Sequence, residues 1–399
     1  SRSNTSGMAI VAGLLLTGSL IYAEPTGIAG ALLLFVGQIL SFVLAMMLFV
    51  GLGRDAVRTG LARTTVANGV AQILLALLAF LYYVTYDIAL GFRAQVLLPA
   101  AALLLGIGAA VASRGRPDYD GSDEREEREE RPASYQPAVA GLLLLIAPLA
   151  LALTWSKPQA IQPDPTNSAV RVIDYNVHNG FNTAGRLDLE ALATIILENG
   201  ADVVGLQEIS RGWLIWGSAD MLAWLSQRLD MPYVSGPTSD AQWGNAILSR
   251  YPIVRAETFP LPPDDVLIRR GYIVAEIDVG SGTLTVIDTH FTHRSRNYAI
   301  REMQASELAY AWNGAAATVI VGDMNAPPDS AAMQTLSSAG LINVAAEICT
   351  PPILTSPADS PSRQIDYIWV SPDLGFSDCE IPRIPASDHL PVIATIALP

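Results

Sequence analysis

Five long apolar runs crowd the first 155 residues of this 399-residue chain, and no other feature limits its architecture as strongly. They cover Gly7–Ala23, Gly27–Gly53, Ala67–Leu90, Gln95–Ser113 and Pro137–Trp155; none holds a Lys or Arg, and Asp87 is the one acid inside them. Each is close to the ~20 residues that cross a bilayer core as a helix. Residues 1–156 therefore read as an all-α transmembrane region of about five spans, against the alternative of five fully buried helices. Charged residues make up only 16% of the chain and hydrophobic ones 51%, where a soluble domain carries about 25% charged residues. That composition excludes a disordered chain.

Arginine placement orients the spans. Arg54, Arg58 and Arg63 lie between the second and third runs, and Arg114, Arg116, Arg125, Arg128 and Arg131 between the fourth and fifth. The other side shows Arg93 and Lys157, the single Lys of the chain. Positive loops stay in the cytoplasm, so the expectation is an integral, multi-pass protein of a bacterial plasma membrane with its C-terminal domain extracytoplasmic. Gly7–Ala23 has a second reading as a signal-peptide core, and a further segment before Ser1 stays open. Residues 114–132 form an acidic and Arg-rich loop that reads as a solvated linker. Residues 157–168, with Pro158, Pro163 and Pro165, read as a second linker before a folded domain over 169–399.

The pattern changes within that domain. Val170–Tyr175, Val203–Leu206, Ala246–Ser249, Thr318–Val321 and Ile365–Val370 read as buried strands. Asp188–Glu198 and Arg296–Trp312 read as helices, the first stopped by Asn199-Gly200. Tyr272–Val279 and Thr283–Phe291 flank Gly280-Ser281-Gly282, a hairpin signal. Hairpins mixed with helices predict an α/β (α+β) layered sandwich rather than a doubly wound sheet.

All four histidines of the chain lie in this domain. Polar clusters follow or open its strands: Tyr175-Asn176-Val177-His178, Gln207-Glu208, Asp288-Thr289-His290, Gly322-Asp323-Met324-Asn325, Asp366-Tyr367 and Ser387-Asp388-His389. Hard oxygen donors such as Glu208, Asp388 and an Asn carbonyl suit Mg²⁺ or Mn²⁺ rather than zinc. An Asp–His pair supplies a base or a stabiliser of developing negative charge. Together these parts suit phosphoryl chemistry.

This ordered set, YN, QE, TH, GDxN, DY and SDH, resembles the endonuclease/exonuclease/phosphatase (DNase I-like) superfamily from about Val170 to Leu398. The resemblance implies a four-layered α/β sandwich and a divalent-metal-dependent phosphodiesterase. It implies that Asn176 and Glu208 bind the metal, with Asp388 a further ligand. It also implies that Asp323 orients or deprotonates the attacking water, Asn325 holds the phosphate, and His389 acts as base or transition-state stabiliser. Asp366 then fixes the His389 imidazole, and His290 contacts the phosphate or leaving oxygen. His178, Asn245 and His293 are weaker substrate-binding candidates, each with a structural reading beside the functional one. Gly212–Ile253 further resembles the C-terminal domain of eukaryotic GPI-anchor lipid-remodelling, ceramide-inserting proteins.

Ala169–Pro399 holds 26 acids against 13 Arg, a net charge of −13. Nucleic-acid binders show the opposite sign, so nucleic acid is the less favoured partner. A domain tethered to a bilayer meets lipids at high effective concentration, which favours membrane lipid head groups or GPI-like glycolipids as substrate. An extracytoplasmic nuclease or phosphatase is the alternative, and a non-hydrolytic lipid-binding module a second one. Trp213, Trp216 and Trp224 either dip into a headgroup layer or pack on the sheet. Cys349 and Cys379 are available for a disulfide, and their sequence positions do not settle whether they pair.

Overall fold

Successive side chains of a strand point to opposite faces, and most strands of the C-terminal half are apolar on both. The computed structural model describes residues 2–22, 33, 36–48, 61–84, 88, 96–113, 157–294 and 296–398. The chain divides into two compact units, Ser1–Thr154 and Trp155–Pro399.

In the first unit the described helices include Arg2–Tyr22, Leu61–Val84 and Leu97–Ser113. No helix among the described residues is long and apolar enough to cross a membrane, which corrects the five-span expectation. Arg2–Tyr22 opens on Arg2-Ser3-Asn4-Thr5-Ser6, and Leu61–Val84 carries Arg63, Thr64, Thr65, Asn68 and Gln72 in its first half. Leu97–Ser113 has 17 residues, which at ~1.5 Å each fall short of a ~30 Å hydrocarbon core. The integral multi-pass location, and with it the extracytoplasmic placement of the C-terminal domain, loses the spans on which it was built. The acidic loop and the run Pro137–Trp155 lie outside the described residues, as does part of Gly27–Gly53.

The second unit holds two six-stranded mixed sheets. The strands are β1 (Ala169–Asn176), β2 (Val203–Ser210), β3 (Tyr233–Asp240), β4 (Trp243–Ser249), β5 (Ile253–Leu261) and β6 (Arg270–Asp278). The chain continues through β7 (Thr283–His290), β8 (Thr318–Asp323), β9 (Ile342–Asn343), β10 (Asp366–Val370), β11 (Gly375–Glu380) and β12 (Val392–Ala397). One sheet has the order β11-β12-β1-β2-β4-β3 and the other β5-β6-β7-β8-β10-β9.

Three apolar layers hold these sheets and their helices. Between the sheets lie Val170, Val172, Val203, Ile247, Val286, Val319, Val321, Ile368 and Val392. On the far side of the first sheet, helices Leu189–Glu198 and Met221–Leu229 pack Leu192, Ile196, Leu222 and Leu225 against Ile173, Tyr175 and Leu206. On the far side of the second, helices Tyr298–Trp312 and Ala331–Ala339 pack Leu308, Trp312 and Leu336 against Ile287, Ile320 and Trp369. The result is helix, sheet, sheet, helix. Cys349 and Cys379 are joined in a disulfide.

The sheets approach closely at Gly205 of β2. A Cβ there would collide with the Val321 side chain and lie 3.1 Å from Asp288 Oδ1. Gly205→Ala is expected to cost about 1–3 kcal/mol by overpacking. It should lower the thermal midpoint of the full chain by about 2–4 °C for each kcal/mol lost. An unchanged midpoint would show that the sheets can part there without penalty.

Candidate active site

The site is the continuation of the inter-sheet core. In β1 the row Val170, Val172 facing the second sheet runs on to Asp174 and Asn176. In β7 the same row, Leu284 and Val286, ends in Asp288 and His290, and in β8 Val319 and Val321 end in Asp323. In β10 the row starts at Asp366 before Ile368 and Val370. Parallel pairing puts His290 opposite Asp323, and antiparallel pairing puts Asp366 opposite the same Asp323. Asn176 pairs with Gln207, so Glu208 follows one residue on. The strands thus exchange aliphatic for polar side chains at one end of the sandwich.

The Asp323 carboxylate is the meeting point. Its Oδ2 lies 3.1 Å from Asn176 Nδ2, 3.4 Å from His290 Nε2 and 3.8 Å from His389 Nε2. Its Oδ1 accepts the Asn325 backbone N–H at 2.8 Å. Burial alone would raise the Asp323 carboxyl, but neighbouring His389 and His290 hold it below the usual range. His389 Nδ1 sits 2.8 and 2.9 Å from the two oxygens of buried Asp366, so its Nε2 faces the site. Burial opposes charge on His389, yet the Asp366 and Asp323 carboxylates raise its pKa well above the ordinary imidazole value. The loop carrying it is clamped by the Ser387 hydroxyl, which donates to Asn176 O at 2.8 Å.

Glu208, Asn176 and Asp388 border this centre. Glu208 has φ 59 and His178 φ 44, left-handed conformations that non-glycine residues hold only when their surroundings impose them. Glu208 Oε2 accepts Asn179 Nδ2 at 3.3 Å, and Asn179 Oδ1 accepts Trp243 Nε1 at 2.9 Å. Asn176 turns its amide nitrogen to Asp323 and its carbonyl oxygen to the His178 N–H at 3.0 Å. Asp388 Oδ1 stands 3.7 Å from His178 Nδ1. Glu208 and Asp388 are partly exposed carboxylates, hard oxygen donors of the kind that suits a divalent cation, while the Asn176 side-chain carbonyl oxygen already accepts the His178 N–H. Asp323, Asp366 and His389 also present ligand atoms within 4.8 Å of one another, but His389 already spends Nδ1 on Asp366.

The weaker candidates divide. His178 is half-buried beside Asp388. Asn245 is buried and donates to Gly271 O at 3.3 Å, and its Oδ1 has no partner among the described residues. His293 is exposed and receives Arg270 at Nδ1. Asn325 holds φ 49 and donates from Nδ2 to Phe291 O at 3.1 Å.

Several groups at the site carry no motif of their own. Arg270, only 3% exposed, reaches both His290 and His293 and lies 5.3 Å from the Trp243 ring centre. Asn179 and Trp243 form the support behind Glu208. Beneath the site the Gln207 carboxamide donates to Asp174 Oδ1 at 2.9 Å and Asp288 Oδ1 at 2.6 Å. Burial raises both of those carboxyls well above the usual range. Trp213 is buried, donates to Asp240 at 2.9 Å and stacks on Trp243 at 6.0 Å; Trp216 packs on Phe181. Both pack within the domain, and Trp224 remains the more exposed at 37%.

The model of the Endonuclease/Exonuclease/phosphatase family matches residues 175–389. The uncharacterized protein YbhP of Escherichia coli K12 is 26% identical over 254 residues, covering 59% of this chain and 100% of YbhP. A crystal structure of an endonuclease/exonuclease/phosphatase from Beutenbergia cavernae is similar at 21% identity and a TM-score of 0.50, over 58% of this chain and 72% of that one. Another, from Bacteroides vulgatus, is similar at 20% identity and a TM-score of 0.50, over 58% and 100%. At those identities the two structures speak for the fold, while the family match spans every polar cluster from Tyr175 to His389. This chain belongs to the Endonuclease/Exonuclease/phosphatase family.

Proposed function

We propose that the unit Trp155–Pro399 hydrolyses a phosphoric ester, a small or head-group phosphodiester, with the aid of a divalent cation. The observation that carries this reading is the convergence of Asn176 Nδ2, His290 Nε2 and His389 Nε2 on one oxygen of Asp323. A carboxylate kept ionised among three donors is placed to orient a water molecule and take up its proton. His389, held by Asp366 and favoured in its charged form, stabilises the negative charge that develops on the phosphoryl oxygens. His290 Nε2 faces the same space and serves the leaving or non-bridging oxygen. Asn325, anchored on Phe291 O, borders the phosphate. Glu208, Asn176 and Asp388 would hold Mg²⁺ or Mn²⁺, which supplies charge neutralisation of the phosphate when bound.

Charge supports the ester class. The 26 acids against 13 Arg of Ala169–Pro399 disfavour a long polyanionic strand, because cationic contacts to phosphate supply non-specific nucleic-acid affinity. The lipid reading loses the tether that the spans would have provided, and the head-group diester remains as its chemical core. The GPI-type reading rests on Gly212–Ile253, which forms helix Met221–Leu229, β3 and β4. A module that only binds lipid has no use for the buried His389–Asp366 pair.

The test is turnover of bis-p-nitrophenyl phosphate, p-nitrophenyl phosphate, a total-lipid extract and a single-stranded oligonucleotide by the purified chain. Release of product from the diester or a lipid head group is expected; cleavage confined to the oligonucleotide or the monoester overturns the substrate class. His389→Ala and Asp323→Ala should each lower the rate about 10³-fold or more, as losses of groups acting at the transition state do. Circular dichroism should show the fold kept, and retention of more than about a tenth of the rate would remove the assignment. EDTA should abolish turnover and added Mg²⁺ or Mn²⁺ restore it; activity persisting in EDTA would sink the cation's role.

A further inference from the structure

Arg270 opens β6 and is 3% exposed, with both guanidinium arms spent on imidazoles. One Nη lies 2.8 Å from His290 Nδ1 and the other 3.1 Å from His293 Nδ1. Guanidinium nitrogens donate and never accept. Each of these Nδ1 atoms must therefore offer a lone pair, and the ring proton of each imidazole must sit on Nε2. His290 is 1% exposed, and its Nε2 has no hydrogen-bond partner among the described residues, although it looks toward Asp323 Oδ2 at 3.4 Å. With its proton on Nε2, the ring directs an N–H toward the carboxylate at the centre of the site.

We infer that Arg270 is a positioning residue that fixes the proton of His290 on Nε2, so that His290 meets the substrate as a hydrogen-bond donor and never as a base. The inference rests on the phosphoric-ester reading for its role and on geometry for the tautomer. The indole of Trp243, 5.3 Å from the guanidinium carbon, keeps the cation in place, and the same indole anchors Asn179 behind Glu208. One aromatic ring thus braces a group on each side of the site. Burial and then the Arg270 cation lower the pKa of both imidazoles, that of His293 to about 4, which agrees with neutral rings. The division of labour follows: His389, paired with carboxylates, carries charge, while His290, paired with a cation, carries a neutral N–H.

The test is ¹⁵N NMR of the full chain labelled at histidine, with the His290 signals assigned by their loss in His290→Gln. The wild type is expected to show an unprotonated Nδ1 and a protonated Nε2 at neutral pH; a protonated Nδ1 overturns the inference without any variant. In Arg270→Met the His290 signals should move toward a mixture of tautomers, with kcat down roughly 10- to 100-fold, as misplaced reacting groups produce, and KM changed far less. Arg270→Lys, with one donor arm fewer, should recover part of the rate. Unchanged ring signals in Arg270→Met, or a shifted tautomer with an unchanged rate, overturn the inference. A locked Nε2–H in a chain that hydrolyses no phosphoric ester would instead sink the proposed function and leave the tautomer assignment standing.

Discussion

Everything at the site depends on two sheets pressed face to face closely enough for one carboxylate to be reached from both. Asp323 belongs to the second sheet, as does His290, while Asn176 and the loop bearing His389 come from the first. The donors that surround its Oδ2 therefore report the spacing of the sheets. Protein interiors are packed as tightly as organic crystals, so aliphatic rows such as Val170–Val172 and Val319–Val321 fix that spacing. The core here sets the geometry of the chemistry directly, because the same strand faces supply both.

The sequence was legible where burial imposes a simple pattern. Every strand read from it lies inside a sheet: β1, β2, β4, β6, β7, β8 and β10. The unread strands include all four sheet edges, β3, β5, β9 and β11. Edge strands lack a fully buried face and show no clean period. β5 runs Ile-Val-Arg-Ala-Glu-Thr-Phe-Pro-Leu and is largely exposed, and β3 contains Gly236 and Pro237. β12 was also unread although it is interior, its mostly buried Val-Ile-Ala-Thr-Ile too short to separate strand from helix. The apolar N-terminal runs misled for a different reason. Hydropathy counts residues within a window, whereas among the described helices Arg2–Tyr22 and Leu61–Val84 begin with polar residues in their first turns and Leu97–Ser113 has 17 residues.

At the site, residues with chemical motifs were readable and residues that only support them were not. The family resemblance implied that Asp366 fixes His389 and that Asp323 handles the water, and the three side chains do lie together. Arg270 follows another Arg in an ordinary loop-to-strand passage, and nothing local marks it as buried. Its meaning comes from His290 and His293, 20 and 23 residues away in the chain. Asn179 lies beside His178, yet its partners Glu208 and Trp243 are 29 and 64 residues distant. For Trp213 and Trp216 the sequence left two readings open, a headgroup layer or packing on the sheet, and the buried stack of Trp213 on Trp243 is a tertiary fact. Long-range contacts of this kind leave no periodicity to read.

The buried acids complete the electrostatic logic. Asp174, Asp288, Asp323 and Asp366 are all essentially inaccessible, and four ionised carboxylates in one core would be prohibitive without compensation. The structure treats them in two ways. Asp174 and Asp288, tied together through Gln207, show no cationic partner in contact among the described residues, and burial favours their protonated forms. Asp323 and Asp366 instead share His389, which lets Asp323 keep its charge. Acids whose burial favours their protonated forms thus lie under a centre where Asp323 is held in its charged form. The partly exposed carboxylates of Glu208 and Asp388 stand at the open end of the sandwich rather than between the sheets, which is where the proposed cation and phosphate would have to meet them.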